Sequence, residues 1–116
     1  MTDIRLTNTL TRQVEVFEPL VAGQVGVYLC GPTVYDLAHL GNARSAVNFD
    51  VLHRLLRHDL GGENVTFVRN ITDVDDKIIN RSIESGLPIG ELTAASAQDY
   101  LDDVDALSAL TVTARQ

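Results

Sequence analysis

The stretch Tyr28-Leu-Cys-Gly-Pro-Thr-Val-Tyr-Asp-Leu-Ala-His-Leu-Gly-Asn-Ala-Arg44 decides how this chain is read. It starts inside the apolar run Val25-Gly-Val-Tyr-Leu-Cys30, whose continuous hydrophobicity and flanking glycines predict a buried strand. Gly31-Pro32 ends that strand, since proline has no amide for a ladder. His39-Leu40-Gly41-Asn42 then leads into a helical pattern over 42–58. Val47, Val51 and Leu55 recur there at four-residue steps, and Phe49, Leu52 and Leu56 widen the stripe.

Outward from this stretch, Gly61-Gly62 stops the helix. Val65-Thr-Phe-Val-Arg-Asn70 reads as the next strand. A helix between two apolar strands is a parallel crossover unit, which is right-handed in nearly every sheet. Thr72-Asp73 is expected to open a further helix, with Asp73 as its cap and Asp75 and Asp76 in the first turn, where the dipole favours negative charge. Ile78, Ile79 and Ile83 supply its apolar side, and Gly86 ends it. Pro88 suits the start of a last helix, on which Ala97, Tyr100, Leu101, Val104 and Leu107 share a face. Before the first buried strand, residues 4–17 alternate loosely around Thr7-Asn8-Thr9 and predict two short strands and a turn.

The chain has 116 residues, about one domain or less, and is 45% hydrophobic, enough for an ordinary core. Its formal charge of −7 disfavours a surface built mainly to hold nucleic acid. The N-terminus lacks a basic start followed by an apolar stretch, so it does not read as a secretory signal, and no apolar run is long enough to span a membrane. Cys30 is the only cysteine, which fits a reducing, cytosolic setting.

In an open parallel sheet, ligands bind beyond the carboxyl ends of the strands. Cys30-Gly31 ends one strand, Asn70-Ile71-Thr72-Asp73 ends the other, and the loop from Gly31 to His39 opens at the same edge. Amides at a helix start attract phosphate, Gly41 leaves room for a close approach, and His39 and Asn42 add side-chain donors. On the tetrapeptide alone, an ordinary loop histidine at His39 and a turn residue at Gly41 are the favoured reading. Cys30 is either a small core hydrophobe or a zinc-ligating thiolate. Zinc prefers four ligands, and His53 and His58 point about 140° apart on one helix, so they make no helical metal pair. Lys77, the only lysine, is expected to pair with a nearby carboxylate. Arg44 and Arg69 flank the edge and suit either phosphate contact or a solvated, ion-paired role. Neither a G-x-x-x-x-G-K-[ST] loop nor a G-x-G-x-x-G turn is present.

Asn8-Thr-Leu-Thr-Arg12, Tyr28 to Asp36, His39 to Arg44, Phe49-Asp-Val-Leu52 and Val68 to Ile78 occur in one order. Together they resemble the N-terminal segment of the cysteinyl-tRNA synthetase family, from about residue 4 to about residue 110. The resemblance implies an α/β fold: the N-terminal half of a Rossmann-like (HUP-type) class I catalytic domain, with parallel strands and crossover helices. Residues 1–116 would be the N-terminal part of that nucleotide-binding domain. It implies ATP-dependent activation of cysteine to cysteinyl-adenylate and transfer to tRNA, in the cytoplasm. His39 and Asn42 would be catalytic. Pro32, Thr33, Tyr35, His39, Gly41 and Asn42 would bind ATP with its Mg2+, along the family's HIGH region. Cys30, Gly31 and Thr72 would line the cysteine pocket, with Cys30 also a zinc ligand. A zinc ion favours thiolate over hydroxyl oxygen, which would separate cysteine from serine.

Asn42 replaces the second histidine of many class I enzymes. The family's other zinc ligands, its lysine-rich loop and its tRNA-binding region have no counterpart in this sequence. Leu110 to Gln116 departs from the family pattern, so a fragment is expected, inactive alone and prone to self-association, from a family of monomers. Two other readings stand beside this one: a related ligase joining cysteine to an amino sugar, and a non-catalytic module binding a nucleotide or a partner.

Overall fold

The structure, a computed structural model, describes residues 3–109 and 114–115. The chain begins with a hairpin, β1 (Arg5–Asn8) and β2 (Gln13–Val16), paired antiparallel as the alternation predicts. A second, parallel sheet follows, built from β3 (Val25–Leu29), β4 (Val65–Arg69) and β5 (Ala114–Arg115) in that spatial order. Between β3 and β4 runs α1 (Leu40–Leu60), and between β4 and β5 run α2 (Asp76–Ser85) and α3 (Ile89–Ala106). The α/β class and the parallel pairing of β3 with β4, Val25 opposite Val65 and Leu29 opposite Arg69, agree with the sequence reading. The third strand was not foreseen, because two residues leave no periodicity to read.

The pleat sends alternate residues to opposite faces. Val25, Leu29, Val65, Phe67 and Arg69 are buried on one face, while Gly26, Tyr28 and Thr66 are exposed on the other. Leu56 of α1 packs with Val25, Val65 and Ile4, and the His53 ring stacks on Phe67 with centroids 4.6 Å apart. A second cluster joins Ala46 of α1 to Tyr100 and Val104 of α3. Both helices therefore lie on the same face of the sheet.

Several expectations are corrected. The first helix is longer than 42–58 and starts at Leu40, because His39 caps it. Its buried row is Ala46, His53 and Leu56, whereas Val47, Val51 and Phe49 are exposed. Leu52, Leu55 and Leu56 face the core as expected, so the stripe is misplaced only at Val47, Phe49 and Val51, since a wide apolar arc does not say which edge faces the sheet. The cap of α2 is Asp75, which accepts from the Ile78 amide, and not Asp73. On α3, Tyr100 and Val104 are buried, but Leu107 lies beyond the helix and is exposed, and Leu92, Thr93 and Ser96 extend the buried face. Gly86 ends α2 with φ +71°, in the left-handed region where glycine costs nothing.

Candidate functional site

The end of β3 is tied to the end of β4. The Gly31 amide donates to the side-chain oxygen of Asn70, and the Asn70 amide donates to the Leu29 carbonyl. A Cβ at Gly31 would stand 1.8 Å from the Asn70 carbonyl oxygen, so only glycine permits this approach. The chain then continues the sheet in miniature: Thr33 bridges Thr72 in parallel, the Thr72 amide donates to Pro32 O, and the Val34 amide donates to Thr72 O, both at 3.0 Å. Val34, 2% exposed, anchors this loop in the interior. The loop from Gly31 to His39 is therefore held along much of its length rather than open.

At its far end, His39 is the N-cap of α1. Its Nδ1 accepts from the Gly41 amide at 3.0 Å, and Asn42 Oδ1 accepts from the His39 amide at 3.0 Å. This reciprocal arrangement is a capping box with imidazole and amide in place of the usual hydroxyl and carboxylate. Two consequences follow. An accepting Nδ1 leaves the proton of a neutral imidazole on Nε2, which is then a donor. The Gly41 amide is thereby engaged by the His39 side chain. Gly41 itself makes room for the imidazole: a Cβ there would lie 2.8 Å from His39 Cε1.

Two neighbouring hollows open at this edge. The smaller, about 80 Å³, is lined by Cys30, Gly31, Pro32, Gly41, Asn42 and Tyr100, among others. The larger, about 170 Å³, is lined by Pro32, Thr33, Tyr35, His39, Asn42 and Lys77, with Tyr100 at its side. Pro32, Asn42 and Tyr100 belong to both. Thr72 is not among the lining residues of either; it stands behind the loop and holds it by backbone hydrogen bonds. Small-molecule sites usually occupy roughly 300–1,000 Å³. Each hollow is below that range.

Cys30 is exposed, with Sγ 3.7 Å from the Gly31 carbonyl oxygen, and is not a core residue. Among the described residues no group of three histidine, cysteine, aspartate or glutamate side chains is placed to hold a metal. The residues present do not by themselves fit a zinc ion.

Lys77 does not form the expected ion pair with a described carboxylate. Asp75 is engaged as a cap, and Lys77 Nζ instead lies over the Tyr35 ring, 5.7 Å from its centroid. Arg69 is 5% exposed rather than solvated. Its guanidinium lies 6.0 Å from the Tyr100 centroid, and its Nε lacks a hydrogen-bond partner. Burial raises the Tyr100 hydroxyl above its ordinary value, with Arg69 opposing, so it stays a neutral phenol near neutral pH. Tyr100 escaped the sequence reading as a site residue. It arrives from α3, and on that helix it is indistinguishable from an ordinary apolar-face aromatic.

Known proteins share much of this sequence. Residues 16–116 match the model of the family described as tRNA synthetases class I (C) catalytic domain. The match runs to the last residue, so the stretch from Leu110 lies inside the family pattern, contrary to expectation. A cysteine–tRNA ligase of Jannaschia sp. is 61% identical over 110 residues, covering 95% of this chain and 24% of that protein. One from Ruegeria pomeroyi is 59% identical with the same coverage. One from Rhodopseudomonas palustris is 51% identical over 113 residues, covering 92% of this chain and 23% of its own length. The chain thus spans about a quarter of the length of these relatives.

Proposed function

The chain belongs to the class I (C) tRNA synthetase catalytic-domain family, and from that premise we propose that it supplies one wall of a site where cysteine is activated by ATP. In this reaction a carboxylate oxygen of cysteine attacks the α-phosphorus of ATP. The bond from that phosphorus to the bridging oxygen breaks, pyrophosphate leaves, and cysteinyl-adenylate forms. A terminal hydroxyl of tRNA then attacks the acyl carbon, and AMP leaves. We assign the acceptor as tRNA rather than an amino sugar because the relatives carry the name cysteine–tRNA ligase, and the setting as the cytoplasm.

Pro32, Thr33, Tyr35, His39, Gly41 and Asn42 are the proposed ATP contacts. His39 Nε2–H and the Asn42 amide group are fixed donors, each held from behind by the capping box. Donors fixed before charge develops stabilise a transition state without reorganisation. Cys30 and Gly31 are the proposed cysteine contacts, in the adjoining hollow. Thr72 acts through the loop it holds rather than by lining the pocket. Cys30 offers one sulfur toward a zinc ion, and the described residues supply no further ligands grouped with it.

The observation that carries this reading is the sharing of Pro32 and Asn42 by the Cys30 hollow and the His39 hollow. A cysteine carboxylate in the first hollow and a triphosphate in the second would then lie side by side. Amide NMR shifts on titrating ATP test it. Changes centred on His39, Gly41 and Asn42, weakened by Asn42→Ala, are expected; shifts absent at millimolar ATP, or centred elsewhere, overturn it.

A further inference from the structure

We propose that Lys77 is a phosphate-contacting residue of this site, whose ammonium moves from the Tyr35 ring onto the triphosphate of a bound nucleotide. The inference rests on the ATP reading above and adds a residue to it. Lys77 reaches the hollow that holds His39 and Asn42, although it belongs to α2 and they belong to the start of α1.

Local physics does not account for a lysine at this position. Lys77 follows Asp76 in the first turn of α2, at the positive end of the helix dipole, where a cation is unfavourable and acidic residues are preferred. No described carboxylate compensates it by an ion pair. Asp36 lines the same hollow but is paired with Arg81 at 3.5 Å. Nζ lies instead over the face of Tyr35, 5.7 Å from the centroid. A cation over a ring is held more weakly than one in a charge-assisted hydrogen bond, so the ammonium is easily transferred to an arriving anion. A sole lysine at the end of a helix that disfavours it, leaning into a hollow with two fixed donors, is a local rule broken at a site. The chemistry it suits is polyphosphate, where a compact point charge serves well.

Because Lys77 is the only lysine, its amine and the N-terminal amine are the only primary amines in the chain. Low-dose acylation read by peptide mass spectrometry therefore reports on it directly, with the N-terminal amine as internal control. Magnesium–ATP and inorganic tripolyphosphate are each expected to slow acylation of Lys77 several-fold and leave the N-terminal amine unchanged. Adenosine is expected to change neither amine's acylation. Lys77→Gln should weaken ATP binding roughly tenfold, while Lys77→Arg retains most of it. Thermal stability of Lys77→Gln should be equal or higher, since the substitution relieves a dipole conflict. ATP that perturbs the His39 and Asn42 amides yet leaves Lys77 acylation unchanged overturns this inference and spares the ATP reading. Equal protection by adenosine overturns it too, because the contact would then be to the base. No effect at His39 or at Lys77 overturns both.

Discussion

His53 is 2% exposed, stacked on Phe67, and its Nε2 has no hydrogen-bond partner. Burial first, and then the charge of Arg57, hold its imidazole below the ordinary value, with Arg54 of α1 and Arg69 of β4 acting the same way and Asp50 opposing. A histidine whose pKa is lowered on folding contributes stability that is present above its unfolded value, about 6.5, and lost as pH falls through the folded one. The chain is therefore expected to unfold at lower urea concentration at pH 5 than at pH 7.5. His53→Leu should shrink that difference, because it removes the group that must charge. An undiminished difference in the variant would assign the acid sensitivity to carboxylates. The same residue illustrates how far single positions are legible. His39 and Asn42 were readable as donors from their tetrapeptide, but the sequence did not reveal that they cap each other, nor that His53 is the histidine that enters the core.

At the scale of elements, the site depends on β3 and β4 ending together. The Gly31 amide, the Asn70 side chain and the Asn70 carbonyl oxygen meet where the two strands leave the sheet. Gly31→Ala drives a Cβ to 1.8 Å from backbone, which no rotamer change relieves. We expect a loss of about 1–3 kcal/mol in urea denaturation, and a greater loss of ATP-induced shifts at Asn42 than at residues of β1 and β2. A fully stable variant would mean that the strand ends separate without cost. The parallel strands β3 and β4 and the helices were legible here because their apolar runs are five residues or longer. The cap of α2 was not, since Asp73, Asp75 and Asp76 all suit a helix start and only the geometry of the incoming loop selects Asp75.

At the scale of the molecule, the described sheet has β4 in its centre, and no described strand pairs with the outer edge of β3. Its second face, with Tyr28 63% exposed, carries no described helix. An unpaired parallel edge beside exposed apolar residues recruits other strands. Sedimentation of the 116-residue chain is expected to give a mass that rises with concentration; a constant monomer mass would show the edge to be protected. The hollows of about 80 and 170 Å³ are each smaller than an ordinary small-molecule site. Cysteine-dependent pyrophosphate exchange by this chain alone is therefore expected to fall roughly 1,000-fold or more below that of a full-length relative. Exchange within tenfold of a relative would mean that these residues suffice. The order of the first four strands, the three helices and their turns, and the residue types at the carboxyl edge, were set by the sequence alone, because glycines, prolines and apolar periods act over a few neighbouring residues. Which face of α1 meets the sheet, the entry of Tyr100 from α3, the burial of Arg69 and the reach of Lys77 to Tyr35 were decided only in the tertiary structure. Those outcomes depend on contacts between segments distant in the chain, where packing rather than local preference selects among residues of equal propensity.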